Sequence, residues 1–169
     1  MTWDAYHRRE AALRSAVAVI DRRRDGQLPW HELDAARAAF DGPTDLLLAL
    51  QMRWHTRLAG HVDRLLAEQP MDLRAAVIRA WQAATADLPG VRAALDTHDD
   101  EPALQTARAK ELAYLASAAG LAELHDPAAV AVGHEIRSEA QRMVDLDPVE
   151  IPDHVPTGWV ARVLQALAA

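Results

Sequence analysis

Aspartates at 21 and 25, glycine at 26 and glutamate at 32 occupy the first, fifth, sixth and twelfth places of the stretch DRRRDGQLPWHE. That spacing suits a calcium loop, which draws oxygen ligands from places one, three, five, seven, nine and twelve and turns sharply on glycine at six. Asp21, Asp25 and Glu32 are therefore the candidate metal ligands. The set is incomplete, because place three is the cation Arg23 and place nine is Pro29, which offers no side-chain oxygen. Arg22, Arg23 and Arg24 would also repel a dication. The competing expectation is a structural turn, with Asp25-Gly26 ending one helix before the next begins.

Other chemistry is thinly represented. The eight histidines show no H-x-x-x-H spacing that would set two ligands on one helical face. There is no cysteine, and therefore no thiol nucleophile, no disulfide framework and no thiolate metal site. No G-x-S-x-G, Gly-rich phosphate loop or carboxylate pair in an apolar context stands out, so no catalytic residue is assigned and an enzyme is not expected. His55 is the histidine to watch, since it shares a stripe with Met52, Ala59 and Val62. Met52, Trp54, His55, Trp81 and Tyr114 are the candidate lining of a small apolar ligand pocket, against the plainer expectation that the aromatics fill the core.

These residues must be positioned by helices. The chain of 169 residues is half hydrophobic, with that half dominated by alanine. Residues that favour strands are sparse, so the expectation is all-α. Helical periodicity predicts segments over about 4–24, 30–40, 44–69, 72–88, 91–97, 102–123, 127–145 and 158–168, a bundle of seven to eight helices. Leu33, Ala36 and Phe40 face inward in the second, Leu73 and Trp81 in the fourth, and Val132, Ile136 and Met143 in the seventh. Three regions follow: 1–42 as a helix-loop-helix, 43–145 as the helical core, and 146–169 as a proline-rich connection with a final amphipathic helix.

Net charge is −7, but residues 1–24 hold six arginines against three acids, which is +3 and leaves −10 for the remainder. His7, Arg8 and Arg9 are the residues best placed to meet phosphates, while the acidic remainder would repel a long nucleic-acid surface. Neither a signal peptide nor a membrane-spanning run is legible, so a cytoplasmic protein without membrane contact is expected.

Two resemblances add to this reading. Residues 13–40 resemble an EF-hand in their helix-loop-helix spelling, which implies calcium as the alternative cofactor; otherwise none is expected. AALRSAVAVIDRRRDGQLPWHELDAARAAFDGPTDLLLAL resembles the amino-terminal region of TetR-type transcriptional regulators, with LPWHELDAARA similar to their second helix and FDGPTDLLLAL to the aromatic residue and the start of their fourth. That resemblance spans most of residues 8–145. It implies a ligand-binding and dimerisation bundle after residue 44, a dimer face on the helices of about 102–145, and a homodimer. The chain departs from the pattern where Ala38-Ala39 passes straight to Phe40, because about ten residues carrying the recognition helix are missing. Such a helix supplies the base-edge contacts of a helix-turn-helix. The expectation is a non-enzymatic, regulator-like protein that binds a small apolar ligand or a protein partner, with a degenerate helix-turn-helix and no sequence-specific DNA reading. A calcium module and a structural or interaction protein are the alternatives.

Overall fold

The computed structural model describes residues 3–146 of the chain. They form seven helices and no strand: α1 (Trp3–Arg23), α2 (Asp34–Ala39), α3 (Pro43–Ala67), α4 (Leu73–Asp87), α5 (Pro89–Thr97), α6 (Pro102–Ala118) and α7 (Ala129–Leu146). The all-α expectation holds. The helix expected at 158–168 and the connection leading to it lie outside the described residues.

Prolines and caps set most helix starts. Pro43, Pro89 and Pro102 each stand in a first turn, where a missing N–H leaves no bond unmade. Asp72 caps α4 by accepting from the Ala75 N–H at 2.9 Å. α6 stops at Ala118 rather than at 123, because Gly120 turns at φ 68°. Its N–H donates to Ser117 O and the Leu121 N–H reaches back to Ala116 O, both at 3.0 Å, satisfying carbonyls at the helix end. α2 is shorter than the predicted 30–40. The N–H groups of Glu32 and Leu33 both donate to Pro29 O, making a turn of residues 29–32, and Leu33 is extended.

α3 is the spar, 25 residues or about 37 Å long at 1.5 Å per residue. It packs along α4 and against α5 and α6, while α6 and α7 form the most extensive pair and α7 also lies on α4. α1 crosses α2, α5 and one side of α3. The main apolar core runs from Ala12, Ala16 and Ile20 of α1 through Leu50, Trp54 and Leu58 of α3 and Trp81 of α4 to Ile136 and Ala140 of α7, with a smaller cluster of Ala113, Ala116 and Ala129 beside it. The 1–42 and 43–145 segments therefore share one core. Three positions expected inside stand at its margin instead: Leu73, Met143 and Met52 are exposed, the last by 66%. Each lies at the edge of an apolar stripe wider than the neighbour that covers it.

α6 and α7 approach closely enough that a Cβ on Gly133 would overlap the carbonyl of Leu112. Helix backbone cannot yield as a flexible side chain can. Gly133→Ala should therefore cost about 1–3 kcal/mol of stability by overpacking, despite the roughly 1 kcal/mol that alanine gains over glycine in a free helix. A lowered urea midpoint checks this.

Candidate functional site

The residues of the DRRRDGQLPWHE loop point to different partners. Asp21 turns away from the loop, and its Oδ1 accepts from the backbone N–H groups of Gly90 at 2.8 Å and Val91 at 3.1 Å. It thereby caps α5 from a distance of some seventy residues in sequence, satisfying donors that have no intrahelical acceptor. Asp25 and Glu32 both bind Arg23, at 2.8 and 2.5 Å. The cation at place three thus sits where the calcium reading would put a ligand, and its guanidinium ties the loop together. The Gln27 N–H and Arg23 hold the Asp25 carboxyl below the ordinary aspartate range. Asp21, Asp25 and Glu32 do not converge, and among the described residues no group of three or more metal-ligating side chains does. Arg23 closes the loop as a turn between α1 and α2.

Of the residues expected to meet phosphates, Arg9 is committed internally. It forms a two-pronged pair with Asp45 at 2.7 and 2.8 Å, donates to Ala39 O at 3.1 Å, and stacks over Phe40 at 4.2 Å. It fastens α1 to the junction of α2 and α3. His7 and Arg8 are exposed, with His7 edge-on to Trp3 and Tyr6.

The five residues expected to line one apolar pocket do not share a cavity. Trp54 and Trp81 are fully buried and pack edge to face at 5.8 Å, as core. His55 and Tyr114 meet edge to face at 5.4 Å across α3 and α6. Met52 faces a different groove, beside Tyr6 and Leu48 between α1 and α3. At 100° per residue, positions 52, 54 and 55 of one helix cannot all face the same space.

Sequence reading passed over a buried charged cluster. Arg92 of α5 and Glu111 of α6 are only 4% and 3% exposed, and Gln51 of α3 is buried beside them. Arg92 forms a two-pronged pair with Asp96 at 2.7 and 3.1 Å, lies 4.8 Å from the Trp54 ring centre, and has Nη1 3.6 Å from Glu111 Oε1. Gln51 donates to Glu111 Oε2 at 2.6 Å, and Arg137 of α7 donates to Asp96 at 2.6 Å. Arg108 of α6 is buried too, donating to the carbonyls of Leu95 and Asp99 and pairing with the Asp99 carboxylate. Burial, and then the neighbouring guanidiniums, pull Arg108 and Arg137 below the ordinary arginine value. Several polar atoms here have no hydrogen-bond partner within the protein, namely Arg108 Nε, Arg137 Nε, Gln51 Oε1, and the Arg92 Nη1 and Glu111 Oε1 atoms that face each other as an ion pair.

This cluster does not stop at the core. Arg108 and Arg137 form part of the wall of a cleft of about 280 Å³ between α6 and α7, shared with Gln105, His134, Gln141 and Asp99. The cleft lies near the lower bound of small-molecule sites, about 300 Å³. Its lining is polar, which suits hydrogen-bonded ligands better than the apolar ligand expected from sequence.

Comparison of the chain with protein-family models, with curated proteins and with solved structures found no match.

Two outcomes follow. Glu111→Ala removes the fully buried counter-ion of Arg92 and should cost about 3–5 kcal/mol in a denaturant titration. Hydrogen bonds from Arg9 hold the Asp45 carboxyl below its ordinary range. Its folded value thus lies below its unfolded one, so the stabilisation is present above about pH 4 and is lost as pH falls through the folded value. Asp45→Asn should lower the urea midpoint at pH 7, and the variant and wild-type curves should converge as the pH is taken below that range.

Proposed function

We propose that the chain is a non-enzymatic, regulator-like helical binding module whose small ligand enters the cleft between α6 and α7. One observation carries this reading. Three guanidiniums, Arg92, Arg108 and Arg137, and two carboxylates, Asp96 and Glu111, are gathered under the cleft by α5, α6 and α7, with Gln51 of α3 bonded to the innermost. Replacing a buried ion cluster by apolar side chains is often neutral or stabilising, so bulk stability is a poor reason to keep one. Perturbed buried charges beside a cleft are the pattern of a binding site.

The regulator reading rests on how the cleft is wired. A ligand touching Arg108 and Arg137 acts on groups that also fix α3 and α5, so occupancy shifts the relative stability of helix arrangements rather than one side chain. The helical body is compatible with the resemblance to TetR-type regulators. Only Phe40, Asp41 and Gly42 separate α2 from α3, which leaves no recognition helix there. The DNA-reading role is accordingly set aside, and a homodimer remains part of the proposal.

A second reading, a protein-interaction module, is favoured by the exposed Trp3, Tyr6, Leu48 and Met52 on α1 and α3. An apolar surface patch of this kind marks interaction sites in soluble domains.

A thermal-unfolding screen of polar metabolites separates the readings. A ligand at a hundred times its Kd adds about 2.7 kcal/mol, a shift of several degrees in Tm. The expected result is a stabilising compound whose effect is lost in His134→Ala/Gln141→Ala. Stabilisation unchanged in that variant, or tight sequence-selective DNA binding at physiological salt in a gel shift, overturns the proposal.

A further inference from the structure

Taking the α6–α7 cleft as the ligand site, on which this step rests, we propose that its ligand is a small oxyanion, a carboxylate or a phosphate, held by Arg108 and Arg137 in competition with Asp99.

The distribution of partners leads to this class. Asp96 is shared between both prongs of Arg92 and one N–H of Arg137. Glu111 is engaged by Gln51 and faces Arg92. Both carboxylates, the buried Glu111 and the partly buried Asp96, are thus already engaged within the cluster. Arg108 is left with the carbonyl oxygens of Leu95 and Asp99, which orient a guanidinium without neutralising it. Its one ion pair among the described residues is with the Asp99 carboxylate, on a side chain 64% exposed, where water screens the pair.

Among the charged groups gathered here, three cations face the buried Glu111, the partly buried Asp96 and the exposed Asp99. Arg108 and Arg137 line the cleft with Asp99 as the one carboxylate among its lining residues, and the buried Nε–H groups of both arginines lack a hydrogen-bond partner in the protein. The side chain of Arg108 is more than nine-tenths buried. An oxyanion supplies Arg108 with negative charge away from bulk water, and both arginines with acceptor lone pairs for planar N–H donors. It also relieves the repulsion among Arg92, Arg108 and Arg137. Gln105, His134 and Gln141 complete the wall with amide and imidazole groups that can hold the polar remainder of a small molecule. The Asp99 carboxylate occupies the position of an internal substitute for the ligand, and its exposure lets it swing away at little cost.

This assigns Asp99 an inhibitory part, which a merely structural ion pair would not have. The test is calorimetry on the full chain at low ionic strength with sodium succinate, inorganic phosphate and uncharged succinamide. Asp99→Asn retains the backbone carbonyl that holds Arg108, and the change is made at an exposed position. Succinate, phosphate or both should bind the wild type, bind about five- to tenfold more tightly to Asp99→Asn, and weaken at least tenfold in Arg137→Gln. Succinamide should give no heat. Heat from succinate alone assigns a carboxylate, and from phosphate alone a phosphate.

Absence of heat from both oxyanions with wild type and Asp99→Asn, or affinity unchanged or weakened by Asp99→Asn, overturns the oxyanion class. In that event an uncharged compound whose binding is lost in His134→Ala/Gln141→Ala leaves the cleft standing as a site. Circular dichroism establishes that Arg137→Gln is folded; should it not be, the tightening in Asp99→Asn decides alone.

Discussion

Arg92 is a permanently charged side chain almost wholly removed from water, and the helices around it are arranged to answer that charge. α5 itself supplies Asp96, α6 supplies Glu111, α3 supplies the Trp54 face and steadies Glu111 through Gln51, and α7 joins through Arg137 on Asp96. An uncompensated buried charge costs several kcal/mol, so a slip of α6 by one turn, about 5.4 Å, would be opposed by far more than a loss of leucine contacts. Apolar burial supplies the bulk of the driving force but tolerates small shifts. The charged cluster fixes register, and through Arg108 and Arg137 the same groups reach the cleft.

The amino-terminal segment is secured by a different pair of polar devices. Arg9 ties α1 to Asp45 at the start of α3, and Asp21 caps α5 at the far end of α1. The basic character of residues 1–24 is therefore partly absorbed inside the molecule. Arg23 likewise closes its own loop through Asp25 and Glu32. A stretch whose composition suggests a basic arm is to a large extent a set of fasteners, with Arg8 and Arg22 among those left exposed.

The helical framework was legible because proline, glycine and apolar spacing act locally. Pro43, Pro89 and Pro102 mark starts that periodicity places within two residues. The α2 boundary was misplaced because one carbonyl, Pro29 O, captured two N–H groups and made a turn from a stretch with helical spelling. Met52 and Met143 were assigned inward because a stripe shows which face is apolar, not how far the neighbouring helix extends over it. The cluster itself was invisible for a different reason. Arg92 and Asp96, spaced like a solvated i,i+4 pair, look the same whether they face water or a tryptophan. α6 gives no one-sided apolar stripe either, because Arg108 and Glu111 are buried along with Leu104, Leu112 and Leu115.

By itself the sequence determined most of the helical framework of the described residues, the class of fold and the absence of thiol chemistry, since these depend on local propensity, spacing and residue type. It also determined that Phe40 follows the second helix almost directly. Tertiary structure alone decided the use of each charge: that Asp21 caps α5 instead of facing Asp25, that Arg9 is held by Asp45, and that Gln51, Arg92, Glu111 and Arg137 meet. Those partners are separated by 19 to 69 residues in pairs such as 92 with 111 and 21 with 90. The energy of a charge depends on the dielectric and the neighbours that folding provides, and neither is written in the order of residues along the chain.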